Sequence, residues 1–120
     1  PDEISGERLQ ELEQLAVDSL ARAVADECIS GTAAAFLSGG LDSSTVVGLA
    51  ARAATAVDAF SIGFEEPRYN ELEYSRLAAR AFGARHHELV VRSADVRACF
   101  ETLLGHAAQP FGNSSLVPTF

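Results

Sequence analysis

Ala33-Ala34-Ala35-Phe36-Leu37-Ser38-Gly39-Gly40-Leu41-Asp42-Ser43-Ser44 is the stretch on which the fold turns. Ala33 to Leu37 is an apolar run too short for a helix and placed just before a glycine pair, so it reads as a buried strand. From Asp42 to Ala54 the composition turns helical, with Val46, Val47, Leu49 and Ala50 as the inward face. A strand passing through paired glycines into a helix is the context that separates a phosphate loop from an ordinary turn. The glycines permit positive φ and close approach of the backbone to a ligand. The free N–H groups of the following helix, with its dipole, favour an anion at the same point. Ser38, Ser43 and Ser44 add hydroxyl donors, and Asp42 suits the loop if a Mg²⁺ stands between its carboxylate and phosphate.

Two better-known loops are excluded. A Walker A motif needs a lysine after its last glycine, and the dinucleotide fingerprint needs a third glycine. From the glycines alone, a strand-to-helix turn capped by Asp or Ser is an equal reading; the full string from Ser38 to Ser44 tips the balance toward phosphate.

Working outward, Leu9, Leu12, Leu15, Ala16, Leu20, Ala23 and Val24 recur at helical spacing, predicting an amphipathic helix from Ser5 to Glu27 with Ser5 or Gly6 near its cap. Ile29-Ser30-Gly31-Thr32 breaks it. Val57 to Ile62 is a second buried strand ended by Gly63, and Phe64 to Tyr69, with Pro67, is a loop. Asn70 caps a third helix to about Phe82, with Leu72, Leu77, Ala78 and Ala81 on one face and Gly83 as its C-terminal stop. Arg85 to Val91 is a third strand, and Ser93 or Asp95 starts a fourth helix through Leu104. Gln109 to Asn113 is a loop, and Ser114 to Phe120 begins another element. Alternating strands and helices with short connections predict an α/β fold: a parallel sheet with helices on both faces. Three strands make a thin sheet, so the chain is expected to be cut from a longer one.

The net charge of −8 and the absence of a basic stripe exclude a nucleic-acid backbone as main partner. Phosphate can still be held by backbone N–H groups and Mg²⁺. All nine basic residues are arginines, so this chain alone cannot complete a mechanism that needs lysine. No apolar run approaches the roughly 20 residues that span a bilayer. Pro1-Asp2-Glu3 lacks the blocks of a signal peptide. Cys28 and Cys99 form no CxxC pair and read as free thiols in a reducing compartment, so the expected location is cytoplasmic.

Ser38-Gly39-Gly40-Leu41-Asp42-Ser43-Ser44 resembles the pyrophosphate loop of the N-type ATP pyrophosphatases, which include the asparagine, argininosuccinate, GMP and NAD synthetases. Phe60 to Glu66, Tyr69-Asn70-Glu71, His86-His87-Glu88 and Gln109 to Ser115 narrow the resemblance to the asparagine synthetase family, with matching segments in order from about residue 33 to 120. The resemblance implies a Rossmann-like sheet, with 1–31 as the N-terminal helix of a synthetase domain. Residues 32–120 would be the N-terminal part of its ATP-pyrophosphatase unit, incomplete at the C-terminus. ATP and Mg²⁺ are the implied cofactors. Ser38, Gly39, Gly40, Asp42, Ser43 and Ser44 would hold pyrophosphate, with Asp42 as the catalytic carboxylate on Mg²⁺. Leu37 and Ile62 would contact adenosine, with Ser61 and Gly63 lining the same wall.

In such enzymes ATP activates the aspartate side chain as an acyl-adenylate. Ammonia made from glutamine by a separate N-terminal glutaminase domain then displaces AMP. That domain, a second Ser-Gly-x-Gly-x-Asp-Glu motif and a catalytic lysine are expected outside these residues, so the chain alone should be inactive. Gln109 stands where many relatives carry an acidic residue, and Asn113 where many carry Asp. The acceptor therefore stays open: a β-lactam synthetase or a macrolactam (lasso-peptide) cyclase shares the same ATP half, and a nucleotide-binding module without turnover is a further alternative. The partners expected are small molecules, with neither nucleic acid nor membrane; apolar surface left by a thin sheet would favour a homo-oligomer.

The remaining polar residues read as structural. His86 and His87 point to opposite strand faces and cannot easily chelate one ion. His106 reads as a surface or capping residue, Glu65-Glu66 as solvated, and Glu71 and Glu73 as a dipole-favoured first turn. Arg68 is a loop residue from which a phosphate could be reached, the lesser of its two readings. A side chain at Gly39 is expected to block phosphate while leaving the fold largely intact.

Overall fold

The computed structural model describes residues 6–28, 31–66, 68 and 70–106, with 100–106 described by their backbone alone. Its elements are α1 (Gly6–Glu27), β1 (Thr32–Phe36), α2 (Leu41–Ala53), β2 (Ala56–Phe64), α3 (Leu72–Phe82), β3 (Arg85–Val91) and α4 (Ser93–His106). The expected loop at Gln109 to Asn113, the element from Ser114, and the residues Ser5, Ile29, Ser30, Pro67 and Tyr69 lie outside the described residues.

The three strands form one parallel sheet in the order β1-β2-β3. Phe36 lies opposite Phe60, and Phe60 opposite His87, which fixes the register across the sheet. A thin open parallel sheet threaded by helices is the α/β class that the alternation predicts. Neighbouring parallel strands that follow one another in sequence place both crossover helices on the same face when the crossovers share the usual hand. Here α2 packs on β1 and β2, and α3 on β2 and β3. The core lies between them, built from Leu37, Val47, Ala50, Val57, Ala59 and Ala79.

Strand burial follows from that one-sided cover. Along β2, Val57, Ala59, Ser61 and Gly63 are buried while Phe60 is 41% exposed. On the same open face Phe36 is 66% and Leu89 61% exposed. The strands expected to be buried on both sides are thus buried on one, and among the described residues no second helix layer covers Phe36, Phe60 and Leu89.

Several boundaries differ from the sequence reading, each for a local reason. β2 runs through Gly63 to Phe64, because parallel pairing continues with Gly63 opposite Val90 and Phe64 opposite Val91. α3 starts at Leu72, whose N–H donates to Asn70 Oδ1 at 3.1 Å, so Asn70 caps from just outside the helix. Its buried residues are Leu72, Ser75 and Ala79, whereas Leu77 and Ala81 are exposed. Small residues face inward because α3 passes close to the sheet and the loop. Ser75 tolerates this burial by donating its hydroxyl to the Leu72 carbonyl at 3.0 Å. α3 ends as predicted at Gly83, in the left-handed conformation with φ +67°. Asp95 Oδ2 accepts the Arg92 N–H at 2.9 Å at the start of α4, which continues to His106.

The C-terminal end of α1 meets the core through Val24, with Cys28 packing just beyond the helix; Leu9, Leu12 and Leu15 are exposed. Ahead of β1, Gly31 adopts φ +74°. Its carbonyl accepts both the N–H of Thr55, at 2.8 Å, and the Thr55 hydroxyl, at 2.6 Å. Both cysteines are free, as expected. Among the described residues no helix is long and apolar enough to cross a membrane.

Candidate functional site

The loop between β1 and α2 sits at the carboxyl edge of the sheet. Leu37 anchors it: the side chain is buried, and its N–H donates to the Phe60 carbonyl at 2.8 Å. Gly39 takes φ +85°, and Gly40 is extended in the N-cap position of α2. No side chain caps α2. The N–H groups of Leu41, Asp42 and Ser43 therefore open the helix with no intrahelical acceptor available to them. Such a cluster of donors at a helix start is where an anion binds.

The hydroxyls organise the loop from within. Ser38 Oγ and Ser43 Oγ share a hydrogen bond at 2.9 Å, and Gly40 N–H donates to Ser38 Oγ at 3.2 Å. Ser43 Oγ also accepts the Ser38 N–H, at 3.2 Å. Asp42 is exposed in the first turn of α2. Ser44 is half-buried and borders a shallow hollow along α2 with Thr45, Gly48 and Phe82. Six loop residues singled out from the sequence are thus together around one helix start.

The wall expected from β2 is more differentiated. Ser61 is buried on the covered face, whereas Ile62 is half-buried on the opposite one. Gly63 lies beneath α3: a Cβ there would meet the Leu72 side chain and come within 3.2 Å of Asn70 Oδ1. Gly39 is in a comparable position. A Cβ on it would lie 2.5 Å from the Ser75 backbone nitrogen and 2.6 Å from Tyr74. Contact with α3, and not room for a ligand alone, demands glycine there. The expectation that a side chain at Gly39 spares the fold is therefore wrong.

A chain of polar contacts that the sequence did not announce crosses the sheet beneath the loop. Ser61 Oγ donates to the Leu37 carbonyl at 2.5 Å and lies 2.7 Å from His86 Nε2. His86 Nδ1 is 3.2 Å from Glu88 Oε1, and Arg76 on α3 grips Glu88 with Nε at 2.7 Å and Nη2 at 2.6 Å. This grip holds the Glu88 carboxyl below its ordinary range, chiefly through the Arg76 hydrogen bonds and against partial desolvation. His87 points to the open face, as the strand alternation requires, stacking on Phe60 with ring centroids 4.7 Å apart and meeting Asp58 at 2.7 Å. Hydrogen bonds from His87 and then Arg85 lower the Asp58 pKa. The spacing of His86 and Glu88 put them on one strand face; their meeting with Ser61 and Arg76 depends on register and helix placement.

Other polar residues behave as bland features. Glu65 approaches Arg92 at 3.9 Å on the surface, and Glu71 and Glu73 are exposed. Among the described residues no group of three or more His, Cys, Asp or Glu side chains could hold a metal by itself.

The sequence profile of the asparagine synthase family matches residues 15–120. A Mycobacterium tuberculosis protein described as a glutamine-hydrolyzing asparagine synthetase is 32% identical over 113 residues, which are 94% of this chain and 17% of that protein. A Methanocaldococcus jannaschii protein of the same description is 38% identical over 88 residues, covering 72% of this chain and 17% of its own length. The chain thus spans about a sixth of the curated relatives it matches. Among solved structures, an NMN synthetase from Francisella tularensis superposes with a TM-score of 0.57 at 18% identity, covering 80% of this chain and 41% of that one. An NH3-dependent NAD synthetase from Campylobacter jejuni gives a TM-score of 0.53 at 17% identity over 86% of this chain and 44% of its own. These two likenesses establish a shared fold.

Proposed function

Because this chain belongs to the asparagine synthase family, we propose that it is the ATP-binding part of an AMP-forming ligase. The observation that carries this reading is the uncapped start of α2, reached from β1 through Gly39 at φ +85° and Gly40. Residues 1–31 then serve as the N-terminal helix and 32–120 as the first part of the ATP-pyrophosphatase domain of a longer, cytoplasmic enzyme. The N–H groups of Leu41, Asp42 and Ser43 hold the departing pyrophosphate. Ser38 and Ser43 fix the loop and can turn hydroxyls toward the phosphates. Leu37 and Ile62 flank adenosine at the strand ends, with Ser61 and Gly63 shaping the floor beneath.

Asp42 fits a Mg²⁺ shared with phosphate, because Mg²⁺ is commonly held by one or two carboxylates plus substrate oxygens and not by an all-protein cage. Bound there, it would neutralise charge developing on pyrophosphate. The carboxylate activated in this reading is the aspartate side chain. A carboxylate resists attack because its charge is delocalised and hydroxide leaves poorly; adenylation supplies AMP as a good leaving group. Ammonia from a glutaminase domain of the longer protein completes the amide. The chain has no lysine, so positioning is its contribution and further electrostatic stabilisation comes from elsewhere in the enzyme.

Calorimetry on the full-length protein tests the loop. Asp42→Asn is expected to weaken Mg²⁺-ATP binding about tenfold or more, the scale of one lost charge-assisted contact, while barely changing metal-free ATP binding. Equal losses in both conditions would make Asp42 only a helix-start residue.

A further inference from the structure

The polar chain under the loop has a direction that can be read from its protons. A carbonyl oxygen can only accept, so the Leu37 carbonyl must receive the one proton of Ser61 Oγ, at 2.5 Å. Ser61 Oγ is then an acceptor toward His86, and the 2.7 Å contact requires a proton on Nε2. The ionised Glu88 carboxylate, gripped by both prongs of Arg76, can likewise only accept. His86 Nδ1 stands 3.2 Å from that carboxylate. Arg76, Glu88, His86, Ser61 and Leu37 form one series of polar contacts from α3 across β3 and β2 to the end of β1.

Two features place this series at the loop. Leu37 is the residue before Ser38, and its N–H and carbonyl are both held by β2, by Phe60 and Ser61. Arg76 directly follows Ser75, whose backbone nitrogen bounds the space at Gly39. One end of the series is thus joined directly to the loop, and the other leaves α3 at the residue after Ser75. Ser61, with its proton committed to Leu37, cannot donate a hydrogen bond to a nucleotide, which leaves it a role in shaping the floor.

We propose that His86 is a positioning residue for the nucleotide: held by Glu88 and Arg76, it fixes Ser61, and through Ser61 the Leu37 carbonyl at which β1 passes into the glycine loop. This rests on the reading of the loop as an ATP site.

The test uses the full-length protein with His86→Leu, His86→Gln, Ser61→Ala and the double variant Ser61→Ala/His86→Leu. ATP affinity is measured by calorimetry, hydrogen exchange of the 37–44 segment without nucleotide by mass spectrometry, and Tm as a check on folding. His86→Leu and Ser61→Ala are each expected to weaken ATP up to about tenfold, the cost of one buried hydrogen bond left unmade. The double variant should be no weaker than Ser61→Ala. His86→Gln, whose amide can still donate to Ser61, should recover most of the affinity. Exchange across 37–44 should quicken in His86→Leu and Ser61→Ala and return toward normal in His86→Gln. Multiplying losses in the double variant, or a glutamine no better than leucine, would overturn the proposal, as would unchanged exchange and affinity. Exchange that responds in a protein binding no ATP would uphold the linkage to the loop and overturn the adenylating reading instead.

Discussion

The two faces of the sheet are built from similar apolar residues yet meet different surroundings. On one, Val57 and Ala59 lie under α2 and α3 with Leu37 and Val47, all nearly inaccessible. On the other, Phe36, Phe60 and Leu89 stand open among the described residues. The covered face also holds the polar series ending at Leu37; the open face holds the separate cluster of Asp58, Arg85 and His87. Hydrophobicity alone therefore does not say which side of a parallel strand is packed. Crossover direction does, and it has put the loop, α3 and the polar series on one side.

Gly39→Val tests the covered side most severely. A β-branched residue at φ +85°, with its Cβ against the α3 backbone, is expected to abolish soluble folded protein, read by yield and circular dichroism. Normal folding with ATP binding lost would restore the simpler idea that only a ligand needs the space. Leu72→Ala comes next, at about 3 kcal/mol by denaturant titration, because it empties a buried site over Gly63.

Phe36→Ser on the open face should cost under about 1 kcal/mol in the isolated chain, as surface substitutions do. A loss equal to that of Leu72→Ala would show that this face is covered in solution. The smallest effect separates the two polar groups by pH. Asp58 and Glu88 both have depressed pKa values. Their contributions are present above the ordinary carboxylate range near pH 4 and are lost as pH falls through the lowered values. Asp58→Asn and Glu88→Gln should each flatten the acid limb of a stability profile slightly, since the arginine of each ion pair is about half exposed or more. A steeper limb in either variant would reverse the sign assigned here.

Much of this was legible in the residues. Short apolar runs and the glycine punctuation at Gly39-Gly40 and Gly83 located three strands and the helices between them, because those signals act locally. The loop residues from Ser38 to Ser44 were found together for the same reason. The buried face of α3 was legible in Leu72 and Ala78, but Leu77 took the place of Ser75 because it outranks it in hydrophobicity, whereas close approach to Gly39 selects size. The series from Arg76 to Leu37 was invisible because Ser61 and His86 are 25 positions apart and meet only in one register. The open face was missed because a run such as Ala33 to Leu37 carries no polar alternation to mark its solvent side.

The Thr55 clamp on Gly31 and the Ser61 bond to Leu37 have a kinetic consequence. Each joins residues 24 positions apart, one at either end of the β1–α2–β2 crossover. That unit is therefore closed at both ends by contacts of modest sequence separation, with Val47 and Ala50 packed on the strands in between. Loops of this length close at modest entropic cost, so the crossover is expected to assemble as a nucleus onto which α3 and β3 then zip. The glycine loop would on this account take shape early, before His86 has arrived on β3.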